Sequence, residues 1–226
     1  MKPRSSNRRI HALTLTEVLV CVAVVCVLAG VAFLVFHRPK AVHRVVHHNR
    51  SEEIQCVNNL KQIGLAFRIW EGDNGDKLPM RVPMRAGGAM EPALRGNVAP
   101  VFQVMSNELS TPIILLCPAD AHRFAAKNFA AGFDDSKVSY FAGVDASDDK
   151  PTMFLSGDDN FAIGSRQIKS GLLLLATNAP VSWTDTRHVN RGNIGLADGS
   201  VQTTGSASLC QLLVQTGVAT NRLAIP

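Results

Sequence analysis

A long apolar run near the N-terminus constrains this chain more than any other feature. Residues 13–36 contain no Lys, Arg, Asp, Asn or Gln, and Glu17 is their one charged side chain. As a helix rising about 1.5 Å per residue, the run would extend roughly 36 Å, which exceeds the ~30 Å hydrocarbon core of a bilayer. The run therefore predicts a transmembrane helix over residues 13–36.

Basic residues on both sides of the run predict its orientation. Four precede it and three follow it, namely Lys2, Arg4, Arg8, Arg9, Arg38, Lys40 and Arg44. The N-terminal cluster normally dominates, so the positive-inside rule places the N-terminus in the cytoplasm. The run is longer than the apolar part of a cleaved secretory signal, and residues 37–40 form no small-x-small site. We expect a single-pass protein of the inner (cytoplasmic) membrane with a periplasmic or extracytoplasmic C-terminal domain.

Composition limits the remaining choices. The 226 residues have room for one anchor and one modest domain, and 46% hydrophobic with 18% charged residues argues against disorder. The net charge of +5 is concentrated around the apolar run, and no basic patch interleaved with aromatic residues occurs elsewhere. Membrane topology explains that charge, so we expect no nucleic-acid partner.

The five cysteines do not form a disulfide framework. Cys21 and Cys26 lie inside the apolar run, where a thiol behaves as a small hydrophobic group. Cys56, Cys117 and Cys210 are isolated in the sequence, with no CxxC and no His at ligand spacing. This spacing argues against a zinc site. At most one pair among these three could form a disulfide outside the cytoplasm, and buried free thiols fit the pattern at least as well.

Glu17 is unusual because a charge deep in a bilayer costs several kcal/mol unless it is paired. A structural explanation is that Glu17 lies near the cytoplasmic interface and extends toward the headgroups. Its neighbours favour a functional role, because the leader 1–12 is basic and Leu13-Thr14-Leu15-Thr16 leads directly into Glu17.

This arrangement resembles the class III signal of type IV pilins and type II secretion pseudopilins. Those proteins have a basic leader, a small residue, a hydrophobic residue and Thr-Leu-x-Glu before an apolar helix. The resemblance implies that a prepilin peptidase cuts between Ala12 and Leu13 and methylates the new Leu13 amine. Ala12 replaces the usual Gly, Leu13 the usual Phe, and Thr16 the usual Ile or Val.

The resemblance also implies a role for Glu17, at the fifth mature position. A free α-amino group is positive near neutral pH, and a carboxylate in a low-dielectric environment needs a cation. In an assembling filament, Glu17 of one subunit would pair with the Leu13 amine of its neighbour and set the axial register.

Beyond Pro39, the apolar residues recur near a period of 3.6 from Ile54 to Trp70, and the glycine-rich turn 72–76 follows. This pattern predicts an amphipathic stalk helix over residues 50–71. Strands are predicted at 113–117, 138–144 and 172–177, and a short helix at 101–109. A type I′ hairpin is predicted at Asp198-Gly199, between strands 193–197 and 200–204. A last helix, capped by Ser206 or Ser208, is expected to end at Gly217.

These elements predict an α+β, pilin-like fold in which a long N-terminal helix, transmembrane and then amphipathic, packs on a small, mainly antiparallel sheet. The predicted organisation is a leader at 1–12, a transmembrane helix at 13–36, a juxtamembrane segment and stalk at 37–71, and an exported globular domain at 72–226.

Several downstream segments resemble pseudopilin-like proteins that are abundant in planctomycetes and verrucomicrobia. These segments are CVNNLKQIGLAFRIW at 56–70, DNGDKLP at 73–79, CPAD at 117–120, VSYFAG at 138–143 and RHVNRGNIGLADGSVQ at 187–202. The C-terminal mark of those proteins is a His, nine residues and Asp-Gly. Here it corresponds to His188, Asp198 and Gly199.

Catalytic and metal sites have weaker support in the sequence. Asp185, His188 and Asp198 could be combined into a hydrolase or metal site, but a turn explains Asp198-Gly199 and a lone loop His is usually structural. No nucleophile context, phosphate loop or supported carboxylate pair occurs, so we expect no catalytic residues and no enzyme activity. Calcium at the oxygen-rich turns is an alternative, although neither turn fits an EF-hand loop. The residues concerned are Asp73, Asp76, Asp158 and Asp159.

The leading interpretation is a structural pseudopilin-like subunit of a type II secretion or type IV pilus-like system, assembled through its N-terminal helix. Its partners would be a prepilin peptidase, other pilin or pseudopilin subunits and an inner-membrane assembly platform. The alternative is a stand-alone, membrane-tethered binding module that does not polymerise and recognises a ligand through residues 188–199. An anchored hydrolase using His188 and Asp198 is a third hypothesis.

Overall fold

A computed structural model describes residues 15–36 and 41–226 of the chain. The chain divides into two compact units, with the boundary between Val45 and Val46. The first unit contains helix α1, Leu15–Phe36. Helix α2, Ala41–Asp73, begins before the boundary, and its larger part belongs to the second unit.

The predicted pilin-like fold with one long N-terminal helix is wrong. The N-terminal part contains two separate helices, and Pro39 lies in the sequence between them. Within residues 15–36 and 41–226, no helix is long and apolar enough to cross a membrane. Helix α2 fails this requirement because charged and polar residues are distributed along it.

The second unit is an α+β domain with antiparallel sheets. Its further helices are α3 Met90–Leu94, α4 Ala99–Gln103, α5 Ser106–Leu109 and α6 Ser206–Gln215, with short 3₁₀ turns at Pro79–Arg81, Met84–Ala86, Pro112–Leu115 and Asp135–Lys137. Its strands are β1 Tyr140–Gly143, β2 Phe154–Asp158, β3 Phe161–Ile163, β4 Arg166–Gln167, β5 Gly171–Ala176, β6 Val181–Trp183, β7 Arg191–Leu196, β8 Val201–Gly205 and β9 Thr220–Ile225.

Two sheets organise this domain. The larger has six strands in the order β5-β9-β1-β2-β7-β8, and the smaller has three in the order β4-β3-β6. Neighbouring strands are antiparallel throughout, with Phe141 opposite Gly157 and Asn193 opposite Thr203. The C-terminal strand β9 pairs with both β5 and β1, so the end of the chain lies inside the large sheet.

The large sheet is covered on both faces, because successive side chains of a strand point to opposite sides. Tyr140 and Ala142 belong to a core shared with α2 and the helical segment 78–115. Phe141 between them belongs to a second core, which includes Trp183 of the small sheet and Leu213 of α6. The central strands are therefore buried on both sides.

Several predicted elements are confirmed, including β1, β5 and the β7–β8 hairpin. The predicted type I′ turn is wrong, because Gly199 has a positive φ of 86° and Asp198 does not. The strand predicted at 113–117 is instead a 3₁₀ turn, in which Pro112 stands at the start and the Thr111 side chain accepts the N–H of Ile113.

The last helix α6 is confirmed, but its predicted serine cap is not. Gly205 precedes α6 and provides no side-chain cap. The Ser206 hydroxyl accepts the backbone N–H of Trp183 at 3.0 Å and is used there instead. Gly217 follows the helix with φ 71°, as a C-terminal glycine should.

Candidate functional site

Four potential metal-ligating side chains from four different parts of the domain meet in its interior. Cys56 lies on α2, Cys117 follows the turn Pro112–Leu115, Asp158 ends β2, and His188 precedes β7. Their sulfur, nitrogen and oxygen ligand atoms all lie within 4.8 Å of one another, and all four residues are buried. We name these four residues the CCDH cluster.

Direct polar contacts connect the cluster. The Cys56 thiol donates to Asp158 Oδ1 at 3.1 Å, and Cys117 Sγ lies 3.1 Å from His188 Nε2. His188 Nε2 is 3.9 Å from Asp158 Oδ2. Each member therefore faces at least one other member, and the imidazole and carboxylate side chains are completely shielded from solvent.

Neighbouring groups hold the cluster in place. Asp158 Oδ2 accepts the backbone N–H of Asn193 at 2.8 Å and its side-chain amide at 2.9 Å. Asn193 is held in turn by Thr203, whose hydroxyl donates to Asn193 Oδ1 at 2.7 Å. The Tyr140 hydroxyl lies 3.2 Å from Cys56 Sγ. The carboxylate and one thiol are thus oriented by hydrogen bonds from the large sheet.

The surroundings shift the proton affinities of the cluster. Burial raises the pKa of the Cys56 thiol. Contact with Cys56 lowers the pKa of Cys117 to about 7, with a further contribution from His188. Burial alone would lower the pKa of His188, but its contacts with Cys117 and Asp158 outweigh it and raise that pKa above the ordinary value. One thiol is therefore primed to ionise beside a basic imidazole.

The backbone that carries His188 adopts a conformation that non-glycine residues avoid. His188, Val189 and Asn190 have φ of 46°, 49° and 59°, in the left-handed region. This region costs a non-glycine residue roughly 1–2 kcal/mol, and a β-branched Val is particularly unfavourable there. Such strain persists where the surrounding structure imposes it, and here it accompanies the inward position of the imidazole.

An ion network lies beside the cluster. Arg187 bridges two carboxylates, with 2.8 Å to Asp120 Oδ2 and 2.6 Å to Asp159 Oδ1. Arg123 completes the network at 3.2 Å from Asp120 and 2.8 Å from Asp159. Burial nevertheless raises the pKa of Asp159. Asp159 is therefore paired with two guanidinium groups, and Asp158 faces a thiol and an imidazole.

The other calcium candidates, Asp73 and Asp76, lie where α2 ends. The backbone N–H groups of Asn74 and Asp76 both donate to the carbonyl oxygen of Glu71, at 3.0 and 3.1 Å. Asp76 has a φ of 54°, which Asp tolerates better than most residues. This hydrogen bonding is that of a tight turn closing a helix.

The structure separates the two parts of the C-terminal motif. His188 precedes β7 and Asp198 follows it, so the six residues of that strand, roughly 20 Å long, lie between them. Asp198 Oδ1 accepts the N–H of Ser200 at 2.8 Å, and Gly199 provides the positive φ of the turn. Asp198 and Gly199 shape the hairpin, while His188 belongs to the CCDH cluster.

The remaining predicted site residues belong to the N-terminal segment. Ala12 and Leu13 lie outside the described residues. Glu17 lies on α1, but its side chain is outside what the structure describes.

The sequence did not identify Cys56 and Cys117 as site residues, because neither has a second ligand nearby in the chain. A weak signal was present: the segments CVNNLKQ, CPAD and RHVNRG each contribute one member of the cluster. The sequence predicts the fourth member, Asp158, only as a calcium candidate in an oxygen-rich turn.

A surface groove opens next to the cluster. Its volume is about 910 Å³, and its lining includes Arg50, Lys61, His188 and Arg191. Glu53 also lines the groove, and its Oε1 lies 3.5 Å from Arg191 Nε. His188 thus connects the groove with the CCDH cluster.

No protein-family model, curated protein or solved structure matches the chain. The residues and their geometry are therefore the guide to its function.

Proposed function

We propose that the chain is a non-enzymatic, pseudopilin-like structural subunit of a type II secretion or type IV pilus-like system. It is held at the cytoplasmic membrane by its apolar N-terminal segment, with the domain Val46–Pro226 on the outer side. Its partners are a prepilin peptidase, other subunits of the same kind and an inner-membrane assembly platform.

The observation that carries this proposal is the exposed apolar surface of α1. Ten of its described large apolar side chains are more than half exposed, namely Leu15, Leu19, Val20, Val22, Val24, Val25, Val27, Leu28, Val31 and Phe33. At 100° per residue these positions surround the helix. A helix that is apolar on all sides requires an apolar environment, because exposing such a surface to water is unfavourable. Packing against α1 helices of neighbouring subunits would provide one.

A second apolar surface supports assembly. Cys56, Leu60 and Ile63 lie on the buried face of α2. On its opposite face, Ile54, Leu65 and Ile69 are 55%, 59% and 45% exposed. We name these three residues the α2 stripe. A subunit that packs against its neighbours along its N-terminal helices would use such a stripe.

The sequence at Ala12–Glu17 supports the same proposal, since it carries a small residue before the cut and an acid at the fifth mature position. Mass spectrometry of the protein from cells containing a prepilin peptidase tests it. We expect a chain that begins with N-methylated Leu13. An intact Met1, or an unmethylated N-terminus other than Leu13, would contradict the proposal.

Two substitutions at one position sharpen this test. Ala12→Gly keeps a small residue before the cut and is expected to be processed like the wild-type chain. Ala12→Leu places a bulky side chain there and is expected to leave the leader attached. Equal processing of both variants would show that the cut does not depend on the motif.

Assembly is tested at Glu17. Glu17→Ala removes the proposed partner of the Leu13 amine, so crosslinked multimers in membranes should be lost while membrane attachment remains. Val18→Ala is the control, because it shortens the neighbouring side chain without removing a charge. This variant should assemble normally. Multimers that survive Glu17→Ala would refute the ion pair.

The groove beside His188 favours one alternative, the membrane-tethered binding module. Its basic and acidic lining residues could bind a polar ligand. In that case Glu17→Ala would affect no assembly, and a substitution in the groove such as Lys61→Ala would abolish ligand capture.

A further inference from the structure

We propose that Cys56, Cys117, Asp158 and His188 bind one zinc ion, which fastens helix α2 to the large sheet. Two sulfurs, one imidazole nitrogen and one carboxylate oxygen make a four-ligand set of the kind zinc prefers. All four residues are buried, so the site has no open position for substrate and is structural. The site belongs to the domain Val46–Pro226 and does not depend on processing at Ala12.

The distances are compatible with tetrahedral coordination after small movements. Zinc bonds of about 2.0–2.3 Å at tetrahedral angles place ligand atoms about 3.3–3.8 Å apart. Cys56 Sγ–Asp158 Oδ1 and Cys117 Sγ–His188 Nε2 are each separated by 3.1 Å, and the ligand atoms of all four residues lie within 4.8 Å of one another. Movements of up to about 1 Å would therefore admit the ion.

The protons and charges of the binding step balance. Both thiols lose their protons to solvent on binding, so one zinc ion enters and two protons leave. Two thiolates, one carboxylate and Zn²⁺ carry a net charge of −1. Arg187 interacts electrostatically with Asp158 and Cys117 and offsets this charge.

The neighbouring residues meet one further requirement of a metal site. Zinc-bound carboxylates are usually oriented by hydrogen bonds, and Asn193 supplies two such bonds to Asp158 Oδ2.

The principal rival is a disulfide between Cys56 and Cys117, because both thiols lie in the same buried cluster and exported proteins meet oxidising conditions. A disulfide would remove both sulfur ligands at once. Mass spectrometry of the full chain, alkylated without reduction, separates the two cases. The zinc site requires all five cysteines, including Cys56 and Cys117, to be alkylated after chelation. A Cys56–Cys117 linkage in the native protein overturns it.

Metal binding is tested on the full chain, purified in detergent and freed of metal. Elemental analysis after adding Zn²⁺ should give about one ion per chain. X-ray absorption should show two sulfur ligands at about 2.3 Å and two lighter ligands at about 2.0 Å. Co²⁺ should produce thiolate charge-transfer absorption. A site with only oxygen and nitrogen ligands, or no binding, would overturn the proposal without any variant.

Variants assign the ligands. Cys117→Ser and His188→Ala should each weaken zinc binding at least 100-fold. Cys210→Ser should bind zinc like the wild-type chain, because Cys210 lies on α6 and donates to the Val181 carbonyl oxygen instead. Zinc should raise the Tm of the wild-type chain and of Cys210→Ser only. Equal zinc affinity in all three variants would exclude the cluster as the site.

Discussion

Asp120 illustrates how this domain accommodates a buried charge. Burial by itself would raise the pKa of Asp120, but Arg187, the Ser139 hydroxyl and the N–H of His122 outweigh it and lower that pKa. The Ser139 hydroxyl donates to Asp120 Oδ2 at 2.7 Å. The carboxylate is thus held in its ionised form by neighbours that also connect the loop 117–123 to β1.

This lowered pKa predicts an acid-sensitive contribution to stability. The stabilisation from Asp120 is complete above its ordinary pKa of 3.8 and decreases as pH falls through the lower folded-state value. Asp120→Asn should reduce the free energy of unfolding by about 3 kcal/mol at pH 7, because Arg187 and Arg123 would share one carboxylate. The difference from wild type should narrow below about pH 4.

Chemical denaturation followed by tryptophan fluorescence measures this effect, since Trp70 and Trp183 are both buried. Asp198→Asn is a matched control, because Asp198 is exposed and the amide oxygen can still accept the N–H of Ser200. The difference in free energy of unfolding between wild type and Asp120→Asn should depend on pH. If it is unchanged from pH 7 to pH 3, the pKa of Asp120 is not lowered in the folded state.

At the scale of elements, the pairing of β1 with β2 leaves no room for a side chain at Gly143. A Cβ added there would overlap the carbonyl oxygen of Phe154, a backbone atom that cannot rotate away. Gly143→Ala should therefore separate the two central strands and destabilise the domain by about 3 kcal/mol. The midpoint of chemical denaturation measures this loss.

Gly205 provides the control for this prediction. It also belongs to a strand of the large sheet, but a Cβ at Gly205 meets no heavy atom within 4 Å. Gly205→Ala should change the free energy of unfolding by less than about 1 kcal/mol. Equal destabilisation by both substitutions would show that the contact with the Phe154 carbonyl oxygen is not responsible.

Helices and turns were predictable from the sequence where the local residue pattern matches the burial of the segment in the folded domain. The buried face of α2 follows the helical period from Cys56 to Trp70, and Gly199 marks the hairpin turn. The segment 113–117 was not predictable as a turn from its apolar composition alone. There the Thr111 side chain and Pro112 favour a 3₁₀ turn over a strand.

At the scale of the whole molecule, the α2 stripe predicts a surface used in assembly rather than in folding. Leu65→Lys should leave the free energy of unfolding within about 0.5 kcal/mol of wild type, because Leu65 is 59% exposed. It should reduce crosslinked multimers, because a charge replaces an apolar contact.

Gln62→Lys introduces the same charge at another exposed position of α2 and should leave the multimers intact. If both lysine variants reduce crosslinking equally, the effect is one of net charge. If neither does, the α2 stripe is not an assembly surface.

The sequence by itself determined the apolar run at 13–36, the helical period of α2 and the strands on either side of Asp198-Gly199. These features follow from local patterns of a few residues. The tertiary structure alone decided that Cys56 meets Asp158, 102 residues away, and that Cys117 meets His188, 71 residues away. It also decided that His188 and Asp198 lie apart. Contacts between distant residues depend on strand order and on how α2 packs against the sheet, which no local spacing encodes.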